Sequence, residues 1–122
     1  MNNLELFVGV DFDVKFGFCE ADGTPIDVRS MTAYMQIKHK GNVYVEPTIT
    51  PTDVYLDVSQ HLTTNHADGE NGVILLNIPA TDTKGLAPIR DGIYDLKLRT
   101  VAGNVYLVAS GSLSVIGTVT DI

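Results

Sequence analysis

The sequence lacks tryptophan, has a single cysteine, and contains only 8 lysine and arginine residues among its 122 residues. A lone cysteine, Cys19, forms no internal disulfide, so a disulfide-stapled secreted scaffold is not indicated. The basic residues are nowhere clustered. Nucleic-acid binders neutralise phosphates with a concentrated basic face, and membrane-surface proteins use polybasic segments. We therefore expect no nucleic acid and no membrane among the partners.

Long apolar runs are also missing, since none approaches the roughly 18 residues of a membrane-spanning helix. The first residues, Met1-Asn-Asn-Leu-Glu-Leu, lack the basic region and apolar stretch of a signal peptide, which predicts synthesis without export. The composition is 44% hydrophobic and 19% charged, with a net charge of −7. Such a composition is typical of a folded globular protein, and the length predicts one domain over residues 1–122.

The pattern that is present has a period of two residues. From Leu4 to Phe18 every even position is apolar, and most odd positions are polar or glycine. Because side chains alternate between the faces of a β-strand, this stretch predicts one long strand, or two collinear strands, with one dry face. Strands are usually shorter than this, so Gly9 or Gly17 is the expected place for a bulge or a change of sheet.

Shorter alternating runs follow, separated by clusters of turn-forming residues. The predicted strands are residues 31–38, 43–45, 54–58, 72–78, 92–100, 104–110 and 113–119. Thr81 is a candidate N-cap and Gly85 a candidate stop for a single helical turn. About seven to nine short strands with at most one short helical turn predict an all-β, immunoglobulin-like antiparallel β-sandwich, with a closed barrel as the alternative.

Four residues are predicted to act in folding rather than in function: Asp22, Gly23, Gly92 and Tyr94. The first two belong to a turn. The other two lie in Asp91-Gly-Ile-Tyr-Asp-Leu96, which resembles the tyrosine corner of immunoglobulin-like folds. The alternative is that Tyr94 is an ordinary strand aromatic.

Two groups of side chains could offer metal ligands, and neither forms a recognisable site. Asp11 and Asp13 lie two residues apart and could present oxygens to calcium, but strand alternation already places polar residues there. His61 and His66 lie in residues 59–71, the polar stretch from Ser59 to Asn71 that is the longest candidate loop. Their spacing matches no zinc motif. We predict no metal and no cofactor.

Candidate nucleophiles also lack the context that catalysis needs. Ser59 and Ser110 have no G-x-S-x-G motif around them. Cys19 ends an alternating run instead of opening a helix, so we expect a buried or half-buried, inert thiol. His39 lies at a predicted hairpin and is expected to be a surface residue. We predict no catalytic residues and no enzyme activity.

The order of several short motifs resembles a family of small virion proteins of tailed bacteriophages, immunoglobulin-like sandwiches similar to the N-terminal domain of upper-baseplate proteins. The motifs that carry the resemblance are Ala21-Asp-Gly-Thr-Pro-Ile-Asp-Val28, Ala33-Tyr-Met-Gln-Ile37, Gly72-Val-Ile-Leu-Leu76, Thr81, Asp91-Gly-Ile-Tyr-Asp-Leu96, Gly103-Asn-Val105, Gly111-Ser-Leu-Ser-Val115 and Val119-Thr120. The sequence departs from the family's pattern at Val28-Arg-Ser30 and in the longer stretch 59–71.

This resemblance implies a structural component of a phage virion, in the tail, baseplate or neck, that acts by protein–protein assembly. It implies other virion proteins as partners, a homo-oligomer, and a location in the virion after synthesis in the host cytoplasm. Sheet edges, the long first strand, residues 1–3 and 117–122, and exposed apolar side chains such as Phe7 and Ile116 are the expected contacts.

The alternative function is a host-surface or carbohydrate-binding adhesion module. It would use residues 59–71 together with Tyr44, Tyr55 and Tyr106. The absence of tryptophan makes this alternative the weaker one, because large aromatic side chains are the usual platforms for sugars.

Overall fold

The computed structural model describes residues 3–40 and 54–120, which form eight β-strands and one turn of α-helix. The elements are β1 (Leu4–Phe7), β2 (Phe12–Gly17), β3 (Thr32–His39), β4 (Val54–Asp57), β5 (Leu62–Thr63), β6 (Val73–Ile78), α1 (Ala80–Thr83), β7 (Ile89–Arg99) and β8 (Val105–Ile116). The strand predicted at residues 43–45 and the connection at Pro47 and Pro51 lie outside the described residues.

The strands form two sheets around one core. One sheet has the order β1-β8-β7-β3-β4 and the other has the order β2-β6-β5. All strand pairs are antiparallel except β1 with β8, which is parallel. Strands β2, β5 and β6 correspond to strands B, D and E of an immunoglobulin domain. Strands β3, β7 and β8 correspond to its strands C, F and G. The predicted immunoglobulin-like β-sandwich is confirmed.

The long alternating stretch at the start of the chain is two strands in different sheets. Strand β1 joins the larger sheet, and β2 is an edge of the smaller one. The chain changes sheet at Gly9, whose φ of 77° is a conformation that glycine adopts readily. The hydroxyl of the fully buried Thr83 accepts a hydrogen bond of 3.0 Å from the Gly9 amide and lies 3.1 Å from the Val10 carbonyl oxygen. Helix α1 therefore fixes the point where the chain passes from the larger sheet to the smaller one.

The alternating apolar positions face inward, as the period of two predicts. On β3, Ala33, Met35 and Ile37 are buried, and on β6 the buried positions are also alternate ones. Phe16 packs on Tyr94 with the ring centroids 6.4 Å apart. Aliphatic and aromatic side chains thus fill the centre where many immunoglobulin domains have a disulfide and a tryptophan.

Gly92 and Tyr94 both lie at closely packed positions, which agrees with a role in folding, and the tyrosine corner stays a prediction. A Cβ atom on Gly92 would lie 2.1 Å from the carbonyl oxygen of Leu113, so β7 and β8 approach too closely there for any side chain. Tyr94 is 4% exposed, and burial raises the pKa of its phenol.

The turn at Asp22 and Gly23 also forms as predicted. The Asp22 carboxylate accepts a hydrogen bond of 2.9 Å from the Thr24 amide, and this bond lowers the pKa of the carboxyl group. Gly23 has a φ of 91°. The aspartate side chain mimics a backbone turn, and the glycine supplies the left-handed conformation that follows it.

Three local predictions are wrong. Thr81 lies inside α1, and the N-cap is Pro79, which makes no side-chain cap bond; the Asp11 carboxylate accepts a hydrogen bond of 2.7 Å from the Ala80 amide instead. The two strands predicted at 104–110 and 113–119 are one continuous strand, β8. Residues 59–71 are not an open loop, because they contain two 3-10 helices and β5.

Candidate interaction surface

Strand β8 is paired with β7 on one side, but only partly with β1 on the other. Strand β1 pairs with residues 113–116 of β8. Within residues 3–40 and 54–120, no strand pairs with residues 105–111 on that side. We call residues 105–111 the open edge. Unpaired N–H and C=O groups of an edge strand are free to pair with another strand, so the open edge can accept one.

Large apolar side chains are exposed at the open edge and in the hairpin that leads into it. Val105 is 59% exposed, Tyr106 43% and Leu107 59%, and Val101 in the hairpin is 88% exposed. The Tyr106 ring packs on Phe18, with centroids 5.8 Å apart, at the side of the sandwich. The open edge therefore combines free backbone groups with apolar surface, which is the composition of a protein-binding site.

Sheet edges in general were among the contacts expected from the sequence, but the open edge was not singled out. Its sequence, Val105-Tyr-Leu-Val-Ala-Ser-Gly111, contains no charged residue and no proline. Natural edge strands usually carry such residues, because they discourage unwanted pairing. Their absence is a sequence signal, but it becomes informative only once β8 is known to be an edge in this region.

A second apolar group lies near the other end of β8. Phe7 is 41% exposed and is the register partner of Ile116, which is half-buried. Val10 and Val119 are exposed near the turn between β1 and β2 and near the end of the described chain. The expected exposure of Phe7 is confirmed, whereas Ile116 is partly covered.

The outer face of the larger sheet is a shallow groove of about 910 Å³. Its lining mixes charges of both signs, among them Lys38, Lys97, Asp57 and Asp95. Asp57 accepts a hydrogen bond of 2.9 Å from the Ser59 amide, which holds the pKa of its carboxyl group below the usual range. Asp95 of the lining lies 3.9 Å from the Lys97 ammonium group.

Residues 59–71, expected to form a partner-binding loop, are held against the rest of the domain. The Gly69 carbonyl accepts a hydrogen bond of 2.9 Å from the Val28 amide, and Gly69 is buried. Arg29 lies 3.5 Å from the Glu70 carboxylate and 2.7 Å from that of Asp27. This segment is a packed part of the sandwich rather than an extended binding loop.

The three histidines do not assemble a metal site. The Nε2 atom of His66 donates to the Val73 carbonyl at 2.7 Å, and its Nδ1 atom accepts from the Asp68 amide at 3.3 Å. Both ring nitrogens of His66 are therefore used within the fold. His61 instead lies 3.6 Å from the Asp82 carboxylate. Across residues 3–40 and 54–120, no three His, Cys, Asp or Glu side chains are grouped to hold a metal ion.

His39 lies on the surface, as expected, and has two neighbours. Its Nδ1 atom is 3.0 Å from the Asp91 carboxylate, and its ring meets the Tyr55 ring edge to face, with centroids 5.7 Å apart. These contacts connect β3, β4 and β7 at one end of the larger sheet. They are structural contacts between neighbouring strands.

Asp11 and Asp13 are separated by the fold and contact different groups. Asp11 caps α1 through the Ala80 amide, and Asp13 on β2 accepts a hydrogen bond from the Asn77 side chain on β6. Both side chains are exposed, which agrees with the solvated-face interpretation.

The candidate nucleophiles Ser59, Ser110 and Cys19 lie at separate places in the fold. The Ser59 hydroxyl accepts a hydrogen bond of 3.0 Å from the Met35 amide, so it joins this segment to β3. Ser110 lies on β8 opposite Asp95. The prediction for Cys19 is wrong, because its side chain is exposed. Cys19 follows Phe18, the last apolar position of the alternation, and so takes the outer position that the period of two gives to the odd residues.

The tyrosines named for a sugar-binding platform do not converge. Tyr55 lies on β4 and Tyr106 on β8, two strands that β7 and β3 separate in the larger sheet. The Tyr55 hydroxyl donates a hydrogen bond to the Ala87 carbonyl. Tyr44 lies outside the described residues. The described helix is one turn long, so no helix within residues 3–40 and 54–120 has the length and apolarity to cross a bilayer.

Comparison with protein-family models and with curated protein sequences finds no match. Among solved structures, the chain is similar to the extracellular domain of the voltage-gated sodium channel β4 subunit, described as a parallel homodimer with a role in cell–cell adhesion. The identity is 15%, the TM-score is 0.39, and the alignment covers 97% of this chain and 92% of that one. The assignment to the immunoglobulin-like class rests on the strand order and pairing described above.

Proposed function

We propose that this domain is a structural component of a tailed-phage virion and that it acts by protein–protein assembly. It is a homo-oligomer that also contacts other virion proteins, and it resides in the tail, baseplate or neck of the particle. The alternative of a host-surface adhesion module has no converging aromatic side chains to support it among the described residues.

The open edge is the observation that carries the proposal. It offers several unpaired strand positions with exposed Val105, Tyr106 and Leu107 beside them. An uncharged apolar strand edge is a liability for a protein that remains alone in solution, because it pairs with other edges. In an assembled particle the same edge is covered by a neighbour, so assembly accounts for its presence.

The virion context comes from the resemblance in the sequence, and the local structure is compatible with it. The motif that follows the first strands forms a tight turn in which Asp22 binds the Thr24 amide. The Gly-Ile-Tyr-Asp-Leu motif forms the centre of β7, with Tyr94 in the core. The shared motifs thus specify the sandwich, and the open edge is available for contacts specific to this chain.

Quantitative mass spectrometry and immunogold labelling of purified phage particles test the proposal. We expect a fixed number of copies per particle and labelling at one position on the tail, baseplate or neck. A non-structural phage protein from the same lysate is the control for contamination. Absence of the chain from washed particles contradicts the proposal, and so does specific glycan binding by a protein that joins no particle.

A further inference from the structure

The open edge differs from the other described sheet edge that runs beside it. Strand β2, at the edge of the smaller sheet, carries the exposed charged residues Asp13 and Lys15. Charges of this kind discourage edge-to-edge pairing. The open edge has none, so of these two neighbouring edges only the open edge is suited to pair with a strand from another molecule.

A bulge divides the open edge into two parts. Leu96 of β7 is opposite Ala109, whereas the next residue, Lys97, is opposite Leu107, so Val108 is the extra residue. Val108 and Ala109 both pack against the core. Before the bulge, Leu107 lies on the outer face of the sheet, and Tyr106 lies on the inner face, opposite the buried Leu98. After the bulge, Ser110 lies on the outer face and Gly111 on the inner face.

We propose that the open edge is the dimer interface of this protein, where the same edge of a second copy pairs antiparallel to it. The two-fold axis passes between Val108 and Ala109. This inference rests on the proposed function, because it identifies the surface through which the chain self-assembles. It joins the larger sheets of the two copies into one continuous sheet.

The size of the side chains makes this edge complementary to itself. Antiparallel pairing around that axis places each large residue opposite a small one of the second copy. The pairs are Tyr106 with Gly111, Leu107 with Ser110, and Val108 with Ala109. Residues directly opposite each other in antiparallel strands share a face of the sheet. In an unbroken strand the two members of each pair would face opposite sides, and the extra residue of the bulge places them on the same side.

The apolar area favours covering of the open edge, and the charge of the chain restricts where a second copy can bind. Each chain carries a net charge of −7, so most surfaces of two copies repel one another. The open edge brings no charged side chain into the pairing, and it covers Val105, Tyr106 and Leu107. An isologous interface of this kind closes on itself and gives a dimer rather than a fibre.

The end of the interface is defined by β1. The Ser112 hydroxyl donates a hydrogen bond of 2.8 Å to the Asn3 side chain, which therefore lies where a longer paired strand would continue. Pairing is limited to residues 106–111, and the Val105 side chain lies at its end. Six paired residues are close to the usual length of a strand in a sheet.

Sedimentation analysis of charge variants tests the pairing. Leu107→Asp places a carboxylate opposite Lys97 of its own β7, and Ser110→Lys places an ammonium group opposite Asp95 of its own β7, so both variants are compatible with the folded monomer. Each introduces a charge at the dimer interface. We expect the wild-type protein to be a dimer and each single variant to dimerise about tenfold or more weakly.

The double variant restores dimerisation, because the new carboxylate at position 107 of one copy then faces the new ammonium group at position 110 of the other, twice per dimer. Within one chain these positions are about 10 Å apart along the strand and form no ion pair. Val54→Asp is the matched control. Val54 is 49% exposed on β4 and opposite Lys38, so it receives the same change outside the interface and keeps the wild-type dimer.

The outcomes separate this inference from the proposed function. A monomeric wild-type protein, single variants that dimerise normally, or a double variant no tighter than the single ones overturns the open-edge dimer. If the protein still occurs in washed particles in those cases, its role as a virion component stands, and its self-assembly through the open edge does not. Absence from particles overturns the proposed function whatever the dimer does.

Discussion

Strand β8 passes through two different environments. Residues 113–116 lie between β7 and β1, and there Leu113 is fully buried and Val115 is 2% exposed. Residues 105–111 have β7 alone as a described strand neighbour, and Val105 and Leu107 are each 59% exposed. Both parts are rich in apolar residues. Leu113 and Val115 face the core, whereas Val105 and Leu107 lie on the outer face of the sheet, opposite the exposed Arg99 and Lys97. The side chains of the two parts therefore differ in the face they occupy, and their backbones differ in having or lacking a strand beside them, which shows that burial of a side chain and pairing of its backbone are separate properties of a strand.

The comparison predicts its largest effect for leucine truncation in the two parts of β8. Leu113→Ala removes a fully buried side chain, so we expect a loss of about 2–5 kcal/mol in the free energy of unfolding. Leu107→Ala changes it by less than about 0.5 kcal/mol in a dilute, monomeric solution. Urea denaturation measures both. Equal losses would contradict the inward position of Leu113 and the outward, exposed position of Leu107.

The next effect concerns the close approach of β7 to the covered part of β8. Gly92→Ala places a Cβ atom 2.1 Å from the Leu113 carbonyl oxygen, and the backbone must shift to accept it. We expect a loss of up to about 3 kcal/mol, the upper part of the range for overpacked sites. Gly17→Ala on β2 is the control, since nothing lies within 4 Å of its added Cβ. If both variants have the melting temperature of the wild type, the close contact between β7 and β8 at Gly92 is contradicted.

A smaller effect is expected where β1 is positioned for its pairing with β8. Thr83→Val keeps the shape of the side chain but removes the hydroxyl that accepts from the Gly9 amide. That amide is partly buried, so its lost hydrogen bond costs about 1–2 kcal/mol of unfolding free energy. Thr81→Val, exposed on the same helix, should be nearly neutral in the same chemical denaturation. The account of the sheet change at Gly9 fails if Thr83→Val is also neutral.

The smallest effect lies away from β8 and gives a reference that dimerisation leaves unchanged. The Arg29 guanidinium, bound to Asp27 at 2.7 Å, lowers the pKa of that carboxyl group to about 2. Since this folded-state pKa is below that of the unfolded chain, the pair stabilises the fold above about pH 4 and loses its effect as the pH falls to about 2.

Carbon-detected NMR titration measures this pKa directly. Arg29→Gln should return the pKa of Asp27 towards its ordinary value. The pKa of Asp22, which is lowered by the Thr24 amide, should not change. A pKa of Asp27 that is insensitive to Arg29→Gln would contradict the assigned cause.

The fold class follows from the sequence because alternation and turn chemistry are local properties. The periodic runs predict β3, β6 and β7 within a few residues, and Asp22 with Gly23 predicts a turn that forms. Gly9 is correctly singled out as a point where the first stretch can change sheet.

The candidate site does not follow from the sequence, because it depends on which strands become neighbours. Nothing local in Leu4–Phe7 specifies that β1 pairs with residues 113–116 and leaves 105–111 uncovered. The polar stretch from Ser59 to Asn71 suggests a loop, yet backbone bonds such as that from Val28 to Gly69 hold it in the sandwich. Thr81 has the chemistry of an N-cap, but Asp11 from a distant segment caps the helix instead.

Residue-resolved amide hydrogen exchange at low and high protein concentration tests the two-part account of β8 most directly. We predict that protection in residues 113–116 is the same at both concentrations, because β1 covers them within one chain. In residues 106–111, the amides that point away from β7 should become protected as concentration rises and a second copy pairs with the open edge. Fast exchange of those amides at both concentrations would contradict the account.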